Sequence, residues 1–213
     1  YTLVNGVKIP SPDNKNRFVP LDIFPSEMLD RLEVTKSLTA NMEGDGIGGA
    51  VNLIMKDAPS ERQFTANLST GYNAMYFGRD FQSFNRGGIV KKSPYEALGK
   101  PEDYKVTMED FTTSNLRMKW KKPLPDLTAG LSYGDRFFDD KLGVMLAGSF
   151  LSTSRGKESR LYYQPGTSHN GIEYRNYSSE QTRIGVHDKL DYSLNDNHKL
   201  TWYNGYMDMS EAE

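Results

Sequence analysis

Five stretches of this chain place an apolar residue at every second position, the period of a strand with one apolar and one polar face. In RQFTANLSTGYN, Phe64, Ala66, Leu68, Thr70 and Tyr72 share one side, against Thr65, Asn67, Ser69, Gly71 and Asn73. LTAGLSYG sets Leu127, Ala129, Leu131 and Tyr133 against Thr128, Gly130, Ser132 and Gly134, and LGVMLAGSF aligns Leu142, Val144, Leu146 and Phe150. RIGVHDKLDYSL aligns Ile184, Val186, Leu190 and Tyr192 opposite Arg183, His187, Lys189 and Asp191, with Asp188 interrupting the apolar side. HKLTWYNGYMD aligns Leu200, Trp202 and Tyr206, with Asn204 as the exception. The connections alternate in length. FFDDK and LNDNH are tight turns, whereas Ala74 to Phe111 and Arg155 to Gln181 are far longer than hairpin loops. Long, short, long, short is the asymmetry of an outer-membrane barrel, and Tyr72, Tyr133, Phe137, Phe138, Tyr192, Trp202 and Tyr206 sit near strand ends where interfacial girdles form. LRMKWKK also alternates and is read as an outward extension of the second strand.

Composition removes competing classes. Mean hydropathy is −0.66, and no apolar run is long enough for a helical membrane span, a test that half-apolar barrel strands escape. With 26 Lys and Arg against 28 Asp and Glu, the net charge of −2 excludes a phosphate-driven nucleic-acid binder. Without cysteine there is no disulfide framework, thiolate zinc site or cysteine nucleophile. His169, His187 and His198 have no metal-ligand spacing, so neither metal nor cofactor is expected. The chain opens on Tyr1 with no signal-peptide pattern, and is expected to be a piece of a longer one.

The periodicity changes near Ala58, Pro59 and Ser60. Upstream, YTLVNGVKI reads as a strand with an Asn-Gly turn, FPSEMLDR as a short helix opened by Pro25 and Ser26, RLEVTK as a strand, SLTANMEGDGIGG as a helical turn entering a glycine loop, and AVNLIMK as a strand. Two literal motifs fail in this context. Gly44, Gly46 and Gly49 spell GxGxxG, but a strand follows them and no helix N-terminus meets a pyrophosphate. Gly130, Ser132 and Gly134 spell GxSxG, with Asp188 or Asp191 and then His198 in hydrolase order, yet Ser132 lies inside an alternating strand and not on a nucleophile elbow. Asp139 and Asp140 are turn residues. No catalytic residue is expected.

FPSEMLDRLEVTKSLTANMEGDGIGGAVNLIMKDAP resembles the second half of the plug domain of TonB-dependent outer-membrane receptors. There a strand of type IEV and a basic residue lead to a short helical segment, a glycine loop, GG and a strand of type VNI before the barrel. The counterparts are Leu32, Glu33, Val34 and Lys36, then Gly48 and Gly49, then Ala50, Val51, Asn52 and Leu53. Ser37 and Leu38 replace the common Gly-Pro, and Met42 and Glu43 the common Tyr-Gly. The loop is similar to a branch that includes transporters of sugars and other nutrients and differs from that of the starch-utilisation branch, so a surface lipoprotein partner is not implied.

The resemblance implies a mainly β protein: a transmembrane antiparallel β-barrel, with about five strands present, and part of a small α/β plug. Residues 1–60 would be plug, and 61–213 the first barrel strands with two long extracellular loops. It implies a receptor that binds a scarce nutrient outside the cell and imports it into the periplasm by energised plug movement. Its partners would be the TonB complex of the inner membrane, engaged through a segment not in this chain, and outer-membrane lipid. Met42, Glu43, Gly44 and Asp45 fall at the plug apex as ligand-binding candidates. Arg31, Glu33, Lys36, Gly46, Gly48, Gly49 and Asn52 belong to the plug motif, and Arg31, Glu33 and Lys36 are candidates to bridge plug and wall. Loop aromatics Phe81, Phe84, Tyr162, Tyr163, Tyr174 and Tyr177 offer stacking surfaces. Related receptors close around roughly 22 strands, so this piece alone would expose two unpaired edges and should not be a stable monomer in water. A passive barrel or surface binding protein is the alternative, and a soluble β-rich serine hydrolase the remote one.

Overall fold

The computed structural model describes residues 1–10, 19, 24, 28–37, 39–40, 42–44, 48–90, 92–162 and 171–212. The chain is mainly β, its sheets are largely antiparallel, and among the described residues no helix is long and apolar enough to cross a membrane. The described residues form two compact units, one of Tyr1–Thr70, Leu127–Ser152 and Gln181–Ser210, the other of Gly71–Asp126, Thr153–Glu180 and Glu211–Glu213.

The first unit contains a four-stranded sheet of β1 (Thr2–Val4), β2 (Val7–Lys8), β3 (Leu29–Thr35) and β4 (Ala50–Met55) in the order β2-β1-β4-β3. Asn5 and Gly6 both adopt positive φ, 48° and 82°, the mirror-image turn that suits a two-residue hairpin. β4 runs parallel to β1 and antiparallel to β3, with a register shift between Leu29 and Arg31. The expected helix over FPSEMLDR is corrected at its end: Leu29, Asp30 and Arg31 belong to β3, where pairing with β4 satisfies their backbone groups. Pro25, Ser26 and Glu27 lie outside the described residues.

The second sheet has five strands in the order β11-β10-β9-β8-β5: β5 (Gln63–Gly71), β8 (Asp126–Phe137), β9 (Leu142–Tyr162), β10 (Ile172–Asn195) and β11 (His198–Ala212). β8 and β9 pair from Phe137↔Leu142 to Leu127↔Ser152. Their turn bends through Phe138, Asp139 and Asp140, all at positive φ. β9 has 21 residues and β10 has 24, about twice the 9–11 that a tilted membrane strand needs. Much of the expected connection from Arg155 to Gln181 is therefore strand. Its flanks are polar on both sides, so pairing extends where apolar alternation does not.

The second unit also holds β6 (Phe81–Ser83) and β7 (Lys119–Lys121), an antiparallel two-stranded sheet, and the capped single turn α1 (Pro94–Ala97). This corrects the reading of LRMKWKK. Lys119, Trp120 and Lys121 pair with β6 and do not prolong β8, from which Pro123 and Pro125 separate them, while Ser114–Leu116 form a 3-10 turn.

The two large sheets differ in what they bury. The four-stranded sheet encloses Val4, Leu53 and Met55, with Met28 beside them, a conventional apolar core. The five-stranded sheet is inverted. Along β10, Gly185, His187, Lys189 and Asp191 are buried, while Ile184, Val186, Leu190 and Tyr192 are exposed. Along β8, Gly130, Ser132 and Gly134 are buried while Leu131 is 55% exposed. Leu146 of β9 is exposed as well, so the inversion runs through β8, β9 and β10, whereas β5 is exposed at every position and β11 at nearly every one.

Candidate functional site

Two residues singled out from the sequence, Asn52 and Gly49, help to organise the four-stranded sheet. Asn52 accepts a hydrogen bond from the Gly6 amide at 2.9 Å and donates to Glu33, its partner across β3, at 3.2 Å, tying the hairpin turn to the far strand. Gly49 has φ +100°, and a Cβ there would lie 2.5 Å from the Thr35 carbonyl oxygen, so the turn into β4 requires glycine. Arg31 pairs with Asp30 and Glu33 of its own strand, and Lys36 is exposed. Of the apex candidates, Glu43 pairs with Lys8 at 2.5 Å, while Met42 is half-buried and Gly44 exposed. Asp45 and Gly46 lie outside the described residues. Gly48 is exposed, next to Gly49.

A different set of charges holds the segment that leaves β4. Lys189 donates to the Met55 carbonyl at 2.9 Å and pairs with Asp57 at 2.8 Å. Lys199 reaches Asp57 at 3.5 Å and Asp191 at 3.2 Å, and Arg136 reaches Asp191 and the Ala58 carbonyl, each at 3.2 Å. Asp191 is 1% exposed. The Lys189 ammonium, and secondarily that of Lys199, holds the Asp57 carboxyl below the usual carboxylate range. Three cations thus clasp residues 55–58 through carbonyls and carboxylates, a polar seam.

In the second unit the structure gathers a groove. A cavity of about 580 Å³ is lined by Met75, Tyr76, Arg79, Asp80, Gln82, Trp120, Glu158, Asn176, Tyr177 and Ser178. A smaller one of about 210 Å³ shares Gln82, Asn176, Tyr177 and Ser178 and adds Phe81, Phe84, Asn115 and Met118 among its walls. Gln82 and Trp120 are directly paired across β6 and β7 and so share one face. The floor is fixed by Tyr76, whose hydroxyl donates to the Arg155 carbonyl at 2.9 Å and lies 3.3 Å from Ser178 Oγ. Gly156 makes room for that ring, because a Cβ there would overlap the Tyr76 hydroxyl. Charges along the wall are matched: Arg79 pairs with Glu158, and Asp80 with Lys122 at 2.7 Å.

Of the aromatics singled out from sequence, Phe81, Phe84 and Tyr177 meet in this groove. Phe81 is only 2% exposed, however, packed on Tyr76 with ring centroids 5.2 Å apart, so it is wall and support, not a stacking surface. Tyr162 and Tyr174 are exposed elsewhere, Tyr174 beneath the Arg160 guanidinium at 5.4 Å. Tyr163 lies outside the described residues. Sequence reasoning passed over Trp120, Gln82 and Asn176. The available signal was a tryptophan, at 61% exposure, inside a long polar connection. Ser132 sits within β8 opposite Ala147, with strand on both sides.

No protein-family model, curated protein or solved structure matches this chain.

Proposed function

We propose that this protein is a TonB-dependent outer-membrane receptor that captures a scarce nutrient outside the cell and imports it by energised movement of a plug. Residues 1–60 are the second half of the plug. Residues 61–213 contribute the first strands of the barrel, with residues 74–111 and the far ends of β9 and β10 on the extracellular side. It is no enzyme: the ligand crosses without a bond being broken. The observation that carries this reading is the inverted polarity of β8, β9 and β10, whose exposed side bears Leu131, Leu146, Ile184, Val186 and Leu190 while their covered side bears Ser132, His187, Lys189 and Asp191. Water would select the opposite arrangement, and lipid outside with a polar lumen inside selects this one. The Asn52-centred sheet and the glycine at position 49 support the plug assignment, because they match the motif where the motif needs them.

In this mechanism the clasp on residues 55–58 is the part that must yield. Its charged contacts can exchange with water as the plug is pulled, so movement need not expose a dry core. The intact protein, reconstituted in vesicles with nitroxides placed singly from Ile184 to Tyr192, tests the membrane half of the proposal. Oxygen accessibility should peak at Ile184, Val186, Leu190 and Tyr192 and fall at Gly185, His187, Lys189 and Asp191, and a flat profile would reject a lipid-facing sheet. Growth of a deletion strain on a panel of scarce nutrients, repeated without TonB, tests the rest. Uptake that persists without TonB would identify a passive barrel.

A further inference from the structure

We infer that the groove on β6 and β7 is a binding site for a neutral glycan, with Trp120 as the stacking platform and Gln82 and Asn176 as the groups that read hydroxyls. The inference rests on the proposed receptor function for its physiological meaning and on the groove alone for its chemistry. The larger cavity, about 580 Å³, falls within the 300–1,000 Å³ typical of small-molecule sites, and the second continues from it past shared residues, so an elongated ligand fits better than a compact one. Trp120 is 61% exposed, and an exposed indole beside a cavity favours a ligand with a flat apolar face. Its cross-strand neighbour is Gln82, and Asn176 lines both cavities. Among the described residues neither side-chain amide has a protein hydrogen-bond partner. Each offers a carbonyl acceptor and two N–H donors, the complement of a hydroxyl that both donates and accepts.

Charge decides against other ligand classes. The walls of the larger cavity carry Arg79, Asp80 and Glu158, each neutralised by a neighbour, Arg79 by Glu158 and Asp80 by Lys122, and the smaller cavity adds Glu180, held by Lys121 and Arg86. In the larger cavity an anionic ligand, or a metal chelate presenting anionic oxygens, would have to break one of its two pairs to gain a cation. A pyranose asks for what remains: a flat C–H face over an indole and hydroxyls at amide distance around the rim.

The test is calorimetric titration of the intact purified protein in detergent with short linear gluco-, manno- and xylo-oligosaccharides, and in parallel with a ferric hydroxamate siderophore and with uncharged tripeptides. At least one neutral oligosaccharide should bind. Trp120→Ala should weaken it about tenfold or more, Trp120→Phe should recover much of that loss, and Gln82→Ala or Asn176→Ala should each cost roughly threefold. Val106→Ala, at a position that lines neither cavity, should change nothing. Retention of slow, unheated gel mobility would show each variant folded. Silence from every oligosaccharide, binding of only the siderophore or the peptides, or glycan binding indifferent to Trp120→Ala in folded protein would overturn the inference. The measurement needs neither TonB nor an energised membrane, so glycan binding without TonB-dependent uptake would break the receptor proposal and leave this site standing. TonB-dependent uptake of another nutrient with no glycan binding would do the reverse.

Discussion

The four-stranded and five-stranded sheets are built from similar residues and dispose them oppositely. In the first, Val4, Leu53 and Met55 face inward and the charges of Arg31 and Glu33 remain outside. In the second, Lys189 and Asp191 are covered and Leu131 and Trp202 are not. Apolar burial is worth roughly 25 cal/mol per Å² wherever water is the alternative, so leaving the apolar side of β8, β9 and β10 open costs stability in water and fits the lipid surrounding proposed above. The contrast therefore concerns solvent. It can be broken by substitutions that are equivalent in geometry and unequal in surroundings.

The largest effect is expected in the conventional sheet. Leu53 is fully buried, paired with Val4 on one side and Leu32 on the other. Leu53→Ala should cost about 2–5 kcal/mol through lost transfer energy and a residual cavity, read as a lowered urea midpoint for folding of the intact protein. A loss under about 1 kcal/mol would mean that this sheet has no packed core.

Next comes the inverted sheet, and here the comparison is sharpest. Leu131 is 55% exposed and Val106, in the second unit, 60%. Arginine at a water-facing position is usually neutral within about 0.5 kcal/mol, whereas at the bilayer midplane it costs about 2–4 kcal/mol. Leu131→Arg should therefore impair folding into vesicles strongly, and Val106→Arg hardly at all. Equal tolerance of both would place Leu131 in water.

The seam where the sheets meet is expected to rank third. Lys189 is buried, and its ammonium serves the Met55 carbonyl and Asp57. Lys189→Met keeps the stem and removes both bonds, at a cost on the order of 2 kcal/mol for the carbonyl left without its donor. Lys189→Arg should restore part of it. If the seam is what yields during transport, Lys189→Met should also loosen residues 55–58, seen as faster amide exchange of Met55 and Lys56 than of Leu53.

How far the sequence could be read depended on whether a residue's partner was near or far along the chain. The faces of β8 and β10 were legible because alternation is local, and so were the turns at Asn5-Gly6 and at Asp139-Asp140, which carry their own conformational chemistry, whereas β5 is exposed at every position and shows no covered face. The reach of β9 and β10 was hidden. Residues such as Lys157, Glu158 and Arg175 are polar on both sides of the strand and leave no period to detect, although pairs such as Arg155 with Asp126 still hold the edges. The β6–β7 sheet was hidden for another reason: three residues at Phe81 meet three at Lys119 across a long intervening segment, and nothing in either triplet names the other. Trp120 was misplaced with them, and with it the groove. The clasp on residues 55–58 was half visible, since Lys189 and Asp191 were assigned to the covered face while their target, the carbonyls of Met55 and Ala58, carries no side-chain signal at all.

The smallest expected effect concerns pH, and it separates Coulombic from packing contributions at that clasp. Lys189 and Lys199 depress the Asp57 carboxyl in the folded protein, so the unfolded chain binds the proton more readily. The stabilisation is fully present above the ordinary aspartate value of about 3.9 and is lost as pH falls through the lower folded value. Asp57 is 58% exposed, and solvent screening holds the gain to about 0.2–1 kcal/mol. Asp57→Asn should thus fold less stably than the parent by that amount at pH 7, and the two urea midpoints should converge as the solution is acidified below pH 4, with other carboxylates cancelling in the difference. Added salt at pH 7 should narrow the gap in the same direction. A gap that persists unchanged in acid would assign the role of Asp57 to the shape of the chain at residues 55–58. The ammonium of Lys189 would then stabilise the seam through the Met55 carbonyl alone.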